Sequence, residues 1–340
     1  VKRWAGAVFI LFAGCSSRIY DVAYPTLKDG QYDSEFPYRD CSAQLEEIGR
    51  SIKIIYATAY YKTFLFDEAS RVRESDLAFA GTYLKAAKVQ FTHNSTLGTA
   101  TVIQSDTRTI MLLTCAHVVD FDDTIRAFYG GAEAFIKSVA IKEKQSNFIR
   151  DIPEAEDIEI LAADEAMDIA VIGKRFVTPP TEPAAVFRYP MGRSKELKWG
   201  SFVYLIGYPM GHKMITKGTV SSPDRDKKGS FLTDAPFNRG FSGGLVLAIR
   251  DGVPNFEWVG VARSVAANYE YILTPSKDID ASRLNPGAPY EGEIFVGLKS
   301  DIRYGITHVV STELISAFVK RHAERLEKSG YDVSRMPILD

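Results

Sequence analysis

Cysteine is scarce in this chain, with three residues in 340, at positions 15, 41 and 115. Small domains stapled by disulfides carry a dense and even set, so no disulfide framework is expected. Cys41 and Cys115 lie in very different contexts and read as two reduced thiols. A surplus of either charge is also missing: 41 basic side chains stand against 43 acidic ones. No basic block rises out of that mixture, which excludes nucleic acid as a partner on electrostatic grounds. Of the histidines, those at 93, 212, 308 and 322 show no ligand-like spacing, so neither metal nor cofactor is expected. After residue 15 no apolar run reaches the ~20 residues that span a bilayer, and no internal repeat is visible. What remains is ordinary globular composition, 46% apolar and 25% charged. The length allows two domains, or one all-β unit with additions.

The first forty residues differ from the rest. Lys2-Arg3 precede an apolar run from Trp4 to Ala13, and Gly14-Cys15-Ser16-Ser17 follow. A short positive region, an apolar stretch and small residues make a secretory signal peptide, expected over residues 1–14. Phe12-Ala13-Gly14-Cys15 also resembles a bacterial lipobox, although Phe12 stands where leucine is usual. That resemblance implies that Cys15 is lipidated and becomes the mature N-terminus; a plain signal peptide with a chance cysteine is the alternative. Tyr20 to Tyr38 is rich in Tyr, Asp, Pro and Gly without periodicity. Residues 15–39 are therefore expected to form a tether between lipid and folded domain.

From residue 40 the pattern is one of short strands. A helix is expected from Ser42, with Ser42 as its cap. Strands are expected over 52–66, 87–91, 97–104, 110–114, 134–142, 158–162, 202–207, 215–221, 230–232, 245–249, 258–262 and 304–310, each dense in β-branched and aromatic residues. Charged residues 67–88 read as an irregular or partly helical insertion. Residues 266–294, holding Pro275, Pro286 and Pro289, read as a long excursion. Ser311 or Thr312 caps a helix whose apolar positions, Leu314, Ile315, Phe318, Val319 and Leu326, share one face, and Gly330 is placed to end it. Many short strands and one closing helix predict an all-β barrel or sandwich.

Three residues carry candidate chemistry. His117 follows the apolar strand Ile110-Met111-Leu112-Leu113-Thr114, Asp168 opens Ile169-Ala170-Val171-Ile172, and Ser242 sits in Asn238-Arg239-Gly240-Phe241-Ser242-Gly243-Gly244. Glycine lets a backbone turn sharply and bring N–H groups close to a substrate. Such pre-aimed donors stabilise an oxyanion, and a hydroxyl beside them becomes a nucleophile if a base and an orienter are present. Taken singly, each has a plainer explanation: an ordinary turn, a structural histidine, a strand-end carboxylate.

Together, in this order, the motifs resemble the chymotrypsin-fold serine peptidases, closest to the high-temperature-requirement type of bacterial envelope proteases. The resemblance rests on Leu113 to Val119, Asp168 to Ile172 and Thr233 to Gly244. It also rests on Ile206-Gly207-Tyr208-Pro209 leading to Gly218-Thr219-Val220-Ser221. It implies an all-β double β-barrel of the chymotrypsin type with a C-terminal α-helix, filling residues 40–330; the expected absence of a PDZ domain after the helix departs from that type. It implies a serine endopeptidase in which Ser242 attacks, His117 is general base, Asp168 orients the imidazole and the N–H groups of Gly240 and Ser242 bind the oxyanion. Partners would be protein or peptide substrates in the cell envelope. A lipid anchor, with outer membrane and periplasm-facing placement expected from Ser16, and a homo-oligomer are both compatible with it. The competing reading is a catalytically silent, lipid-anchored binding or scaffold protein on the same fold. Phe241, bulky where the resemblance leads one to expect a small polar residue, and the two insertions point that way. The absence of an acidic residue at the expected specificity pocket, walled by 236–241 and 260–264, predicts small or medium apolar side chains at the cut site. Arg263 is expected to narrow or charge that pocket.

Overall fold

Residues 55, 57, 59, 61 and 63 of Ile52–Leu65 alternate inward, and this period-two burial makes strand β1. It pairs antiparallel along its whole length with β2, Lys88–Ser105, from Ile52↔Thr101 to Leu65↔Lys88. The computed structural model describes residues 26–130, 134–152, 157–275, 285, 287–292, 294–336 and 338–339. The expected signal segment and Cys15 therefore lie outside the described residues. Expected strands at 87–91 and 97–104 are one continuous strand, because β1 offers an unbroken partner on the same side.

Strands β3 (Thr109–Thr114), β4 (Thr124–Phe128), β5 (Ile136–Ile149), β6 (Glu159–Asp164) and β7 (Ile169–Arg175) complete a seven-stranded antiparallel sheet in the order β4-β5-β1-β2-β3-β7-β6. A one-turn helix α2, Ala116–Val119, follows β3 and carries His117. The insertion after β1 is irregular, as expected: three short 3-10 turns lie between Glu68 and Lys85. Their Val72 joins Phe66, Ile136 and Val139 in a small core under the far end of the sheet.

The second sheet contains β8 (Phe202–Gly207), β9 (Met214–Ser222), β10 (Phe231–Thr233), β11 (Gly244–Ile249), β12 (Phe256–Pro275) and β13 (Ile294–Ser311). It closes into a barrel in the order β10-β13-β12-β11-β8-β9, with β9 and β10 completing the ring. The two-sheet, all-β architecture is thus as expected, with the second sheet closed and the first a curved half-barrel. Residues 266–294 are not the expected excursion at their ends. β12 runs on to Pro275 and β13 begins at Ile294, because the two strands pair from Pro275↔Ile294 inward.

One continuous core crosses the seam between the sheets, holding Ile54, Leu112 and Ile172 from the first and Ile206, Leu247 and Trp258 from the second. The closing helix α3, Thr312–Lys328, seals it with Ile315, Phe318, Val319 and Leu326. The Ser311 hydroxyl caps this helix by accepting from the Leu314 amide at 3.3 Å, and Gly330 takes the left-handed φ of +76° that ends it. Helix α1, Ser42–Arg50, departs from the expected cap. Cys41 stands at the N-cap without a side-chain bond, while Asp40 accepts from both the amide and the hydroxyl of Ser42. Those donors hold the Asp40 carboxyl below its ordinary range. Both Cys41 and Cys115 are free and buried, as expected.

The later part of the expected tether is docked on the second barrel. Asp33 donates its amide to the Ile249 carbonyl at 2.9 Å, accepts from the Phe202 amide at 2.8 Å, and its carboxylate accepts from the Gly252 amide at 3.0 Å. Tyr32 reaches Glu257 at 2.6 Å. No helix among the described residues is long and apolar enough to cross a membrane.

Candidate active site

The turn between β6 and β7 delivers Asp168 to the end of the first sheet. Its backbone lies in the left-handed region, φ +56°, held there by the Asp168 amide on the Glu165 carbonyl at 3.2 Å. That conformation is uncommon for a residue with a Cβ, and here it turns the carboxylate toward α2. Asp168 Oδ1 accepts from the backbone amide of His117 at 2.9 Å, and its two oxygens lie 2.9 and 2.8 Å from His117 Nδ1. An ionised carboxylate only accepts, so Nδ1 carries the proton and Nε2 is left as the basic nitrogen. The Asp168 side chain is 6% exposed and that of His117 44%. The carboxylate is therefore screened little, while the imidazole edge remains open to a substrate.

Ser242 arrives from the other sheet, on the loop between β10 and β11. The loop's entry is anchored: Asp234 accepts from the amide and hydroxyl of Thr219, and the Thr307 hydroxyl donates to the Ala235 carbonyl at 2.7 Å. Two of its glycines are required by contact. A Cβ at Gly240, φ +102°, would come within 2.2 Å of the Tyr208 carbonyl oxygen, and one at Gly243, φ +86°, within 1.9 Å of that of Thr99. Phe241, expected to crowd the nucleophile, turns away from it. Its ring is 2% exposed in the core of the closed barrel, 5.9 Å from that of Phe237. The aromatic side chain is the loop's inward anchor, because burying it removes a large apolar surface from water.

The peptide units around Ser242 are fixed one by one. The Arg239 carbonyl accepts from the Met210 amide at 2.8 Å and the Phe241 carbonyl from the Gly244 amide at 2.7 Å. In a trans peptide the N–H points opposite the carbonyl, so the N–H groups of Gly240 and Ser242 are turned the other way. Among the described residues neither donates to a protein acceptor. The Ser242 hydroxyl is half-buried and donates to the Arg263 carbonyl at 3.3 Å, not to His117.

Arg263, on β12, reaches the acid–base pair. Its Nε donates to Asp168 Oδ2 at 3.0 Å. The charge-assisted bond compensates a carboxylate that would otherwise be costly to bury. His117, Asp120, Asp122, Glu165 and Arg263 line an open cleft of about 480 Å³. A larger cavity of about 620 Å³, against Phe187, Met191 and Met336, holds none of these residues.

Cys115, His117 and Asp168 place potential ligand atoms within 4.8 Å of one another. The set is poorly suited to a metal. Burial first, and then the Asp168 charge, push the Cys115 thiol well above its ordinary range, whereas a metal takes the thiolate. The thiol instead faces the Ala262 carbonyl at 3.5 Å. Sequence reasoning named His117, Asp168, Gly240 and Ser242; the fold brings His117 onto Asp168 and seats the Ser242 hydroxyl on the backbone of Arg263, whose side chain pairs with Asp168. That reasoning missed the Arg263 ion pair and the part played by Thr99, whose hydroxyl touches Gly240 at 2.6 Å. The one sequence signal for Thr99 was the Gly98-Thr99 pair within the expected strand 97–104.

Residues 98–260 match the trypsin-like peptidase domain family. The chain is also similar to the serine protease HtrA-like protein of Staphylococcus haemolyticus (strain JCSC1435), with 24% identity over 254 residues. That match takes in 64% of this chain but spans 36% of the relative's length. Among solved structures, Deg5 is similar at 17% identity, covering 66% of this chain and 83% of its own, with a TM-score of 0.35. The Rv3671c protease in its inactive form is similar at 14% identity, covering 84% and 97%, with a TM-score of 0.39. The domain match and the HtrA-like relative support a serine-type peptidase.

Proposed function

For a chain that carries a trypsin-like peptidase domain, we propose serine endopeptidase activity toward proteins of the bacterial cell envelope, run by His117, Asp168 and Ser242. The carrying observation is the doubly bonded His117–Asp168 pair at the seam, with Nδ1 2.8 Å from the carboxylate. It leaves Nε2 to take a proton. Ser242 would exchange its Arg263 partner for His117 Nε2, attack the scissile carbonyl, and pass its proton to the imidazole. Asp168 would hold the tautomer and stabilise the imidazolium, while the N–H groups of Gly240 and Ser242 would receive the oxyanion. His117 would then protonate the leaving amine, and water would release the acyl group by the same steps. Envelope placement rests on the HtrA-like resemblance and on residues 1–14. Lipid attachment at Cys15, and with it an outer-membrane location, belongs to the same proposal.

One observation favours the silent-scaffold reading: the Ser242 hydroxyl rests on the Arg263 carbonyl at 3.3 Å. A fluorophosphonate probe separates the two readings. Labelling of the wild type that Ser242→Ala and His117→Ala both abolish is the expected result. A folded wild type that takes no label would sink the peptidase reading. Heating lipid-extracted chain after metabolic acyl labelling, beside Cys15→Ala, tests the anchor.

A further inference from the structure

Thr99 is fully buried on β2, in the first sheet, yet two of its hydrogen bonds run to the serine loop of the other one. Its hydroxyl donates to the Gly240 carbonyl at 2.6 Å and accepts from the Tyr208 amide at 2.9 Å. Its amide donates to the Ser242 carbonyl at 2.8 Å, and its carbonyl accepts from the Thr114 hydroxyl at 2.7 Å. The four bonds use up both the side chain and the backbone of one residue.

Their targets are the informative part. Gly240 and Ser242 carry the two N–H groups proposed to bind the oxyanion, and the peptide between Gly240 and Phe241 sets how the two are aimed relative to each other. Met210 pins the preceding peptide and Gly244 the following one, both through backbone amides. The middle carbonyl is held by the Thr99 hydroxyl. The Gly240 carbonyl shares its peptide plane with the Phe241 N–H, which donates to the Asn238 carbonyl at 3.0 Å. A glycine at φ +102° has wide freedom to rotate, so without the Thr99 donor that plane is held from one side only and the angle between the flanking Gly240 and Ser242 N–H groups can change. The Tyr208 amide restrains the hydroxyl in turn: with one lone pair engaged there, the O–H is directed to the Gly240 carbonyl. Thr114, at the end of β3 and three residues before His117 in the chain, holds the Thr99 backbone from its own sheet.

We infer that the Thr99 hydroxyl is a positioning residue for the oxyanion-binding loop, holding the Gly240 carbonyl so that the N–H groups on either side converge. The inference rests on the triad reading above. Its test uses the purified full chain, a quenched-fluorescent peptide selected by the wild type, the fluorophosphonate probe, and an aldehyde of the same peptide sequence. With Thr99→Val, kcat should fall about 10- to 100-fold, below the ~10²–10³ for outright loss of a donor, with KM changed less than about twofold. Labelling rate and aldehyde affinity should fall by a similar factor, because both place a developing or formed oxyanion against the two N–H groups. Thr99→Ser, which keeps the hydroxyl, should recover kcat to within about threefold of the wild type. If Thr99→Val does not fold, Thr99→Ala, with room for a water beside the Tyr208 amide, takes its place. A loss confined to KM, or a serine variant as impaired as the valine one, would overturn the role of Thr99. Absence of labelling in the wild type overturns the triad reading itself, whereas a wild type and Thr99→Val that label at equal rates overturn this inference alone.

Discussion

In the first sheet His117 and Asp168 meet through the start of one short helix and one strand turn, and their three contacts are made within that sheet. In the closed barrel Ser242 depends on outside help. Its loop is pinned by Met210 and Gly244 of its own barrel, but also by Thr99 from the first sheet. The acid–base half therefore makes its central pair within one sheet and draws the Arg263 bond to Asp168 from across the seam, whereas two carbonyls of the nucleophile loop are held from across it by Thr99. A carboxylate buried to 6% exposure must be hydrogen-bonded or be unstable, and His117 and Arg263 supply its donors. A glycine loop has no such compulsion, and without contacts from across the seam it has many conformations to choose from. Substitutions in the two halves should accordingly fail in different ways.

The largest effect is expected from Asp168→Asn. It preserves shape while removing the acceptor that fixes the His117 tautomer, and kcat/KM should fall by about 10⁴-fold with the fold intact by circular dichroism. A loss below tenfold would mean that the pair is not the working base. Gly240→Ala comes next, because its Cβ would lie 2.2 Å from the Tyr208 carbonyl oxygen. Activity should drop by about 10²-fold while His117 keeps its imidazole NMR signature, which would show that the loop fails independently of the base. Arg263→Ala should cost roughly tenfold in kcat/KM, the value of one charge-assisted bond in the range of ~1.5–3 kcal/mol partly replaced by water. Asp168 retains its three contacts from His117, so a loss as large as that of Asp168→Asn would show that the pair depends on Arg263 from across the seam.

The smallest effect on activity is expected far from the seam, at Asp33. Burial, with the like charges of Glu35, Asp251 and Asp29, raises its carboxyl to about 6 from an ordinary 3.8. A group raised on folding contributes stability that is fully present below pH 3.8 and is lost as pH rises through about 6. Asp33→Asn removes the ionised form while leaving an oxygen for the Gly252 amide. It should raise stability by about 2 kcal/mol at pH 7.5 and much less at pH 4, read as thermal midpoints at the two pH values. Equal shifts at both would show that the carboxylate is not strained by burial. Activity should be unchanged.

Much of this was legible because its cause is local. Dense β-branched and aromatic residues marked β1, an unbroken apolar run marked β3, and Ser311 and Gly330 bracketed the last helix, each from neighbours in the chain. The catalytic candidates were legible for a different reason: glycines around Ser242 and a carboxylate at the mouth of an apolar strand are expensive placements that structure alone seldom requires. The ends of β12 and β13 were not legible, since their pairing partner lies across a connection rich in proline and glycine. Phe241 was misread for the same reason. Its direction depends on a cavity formed by Phe237, Leu205 and Val246, which no local pattern reveals.

By itself the sequence determined an all-β chain with a closing helix, two reduced thiols, and a histidine, an aspartate and a serine in contexts suited to one chemistry. Those follow from steric and hydrophobic preferences that act over a few residues. Only the tertiary structure decided that Arg263 pairs with Asp168, that Phe241 is an anchor, and that Thr99 reaches Gly240 across 141 positions of chain. Hydrogen bonds are short-ranged and directional, so which groups they join is settled only when two sheets pack and bring distant atoms within about 3 Å.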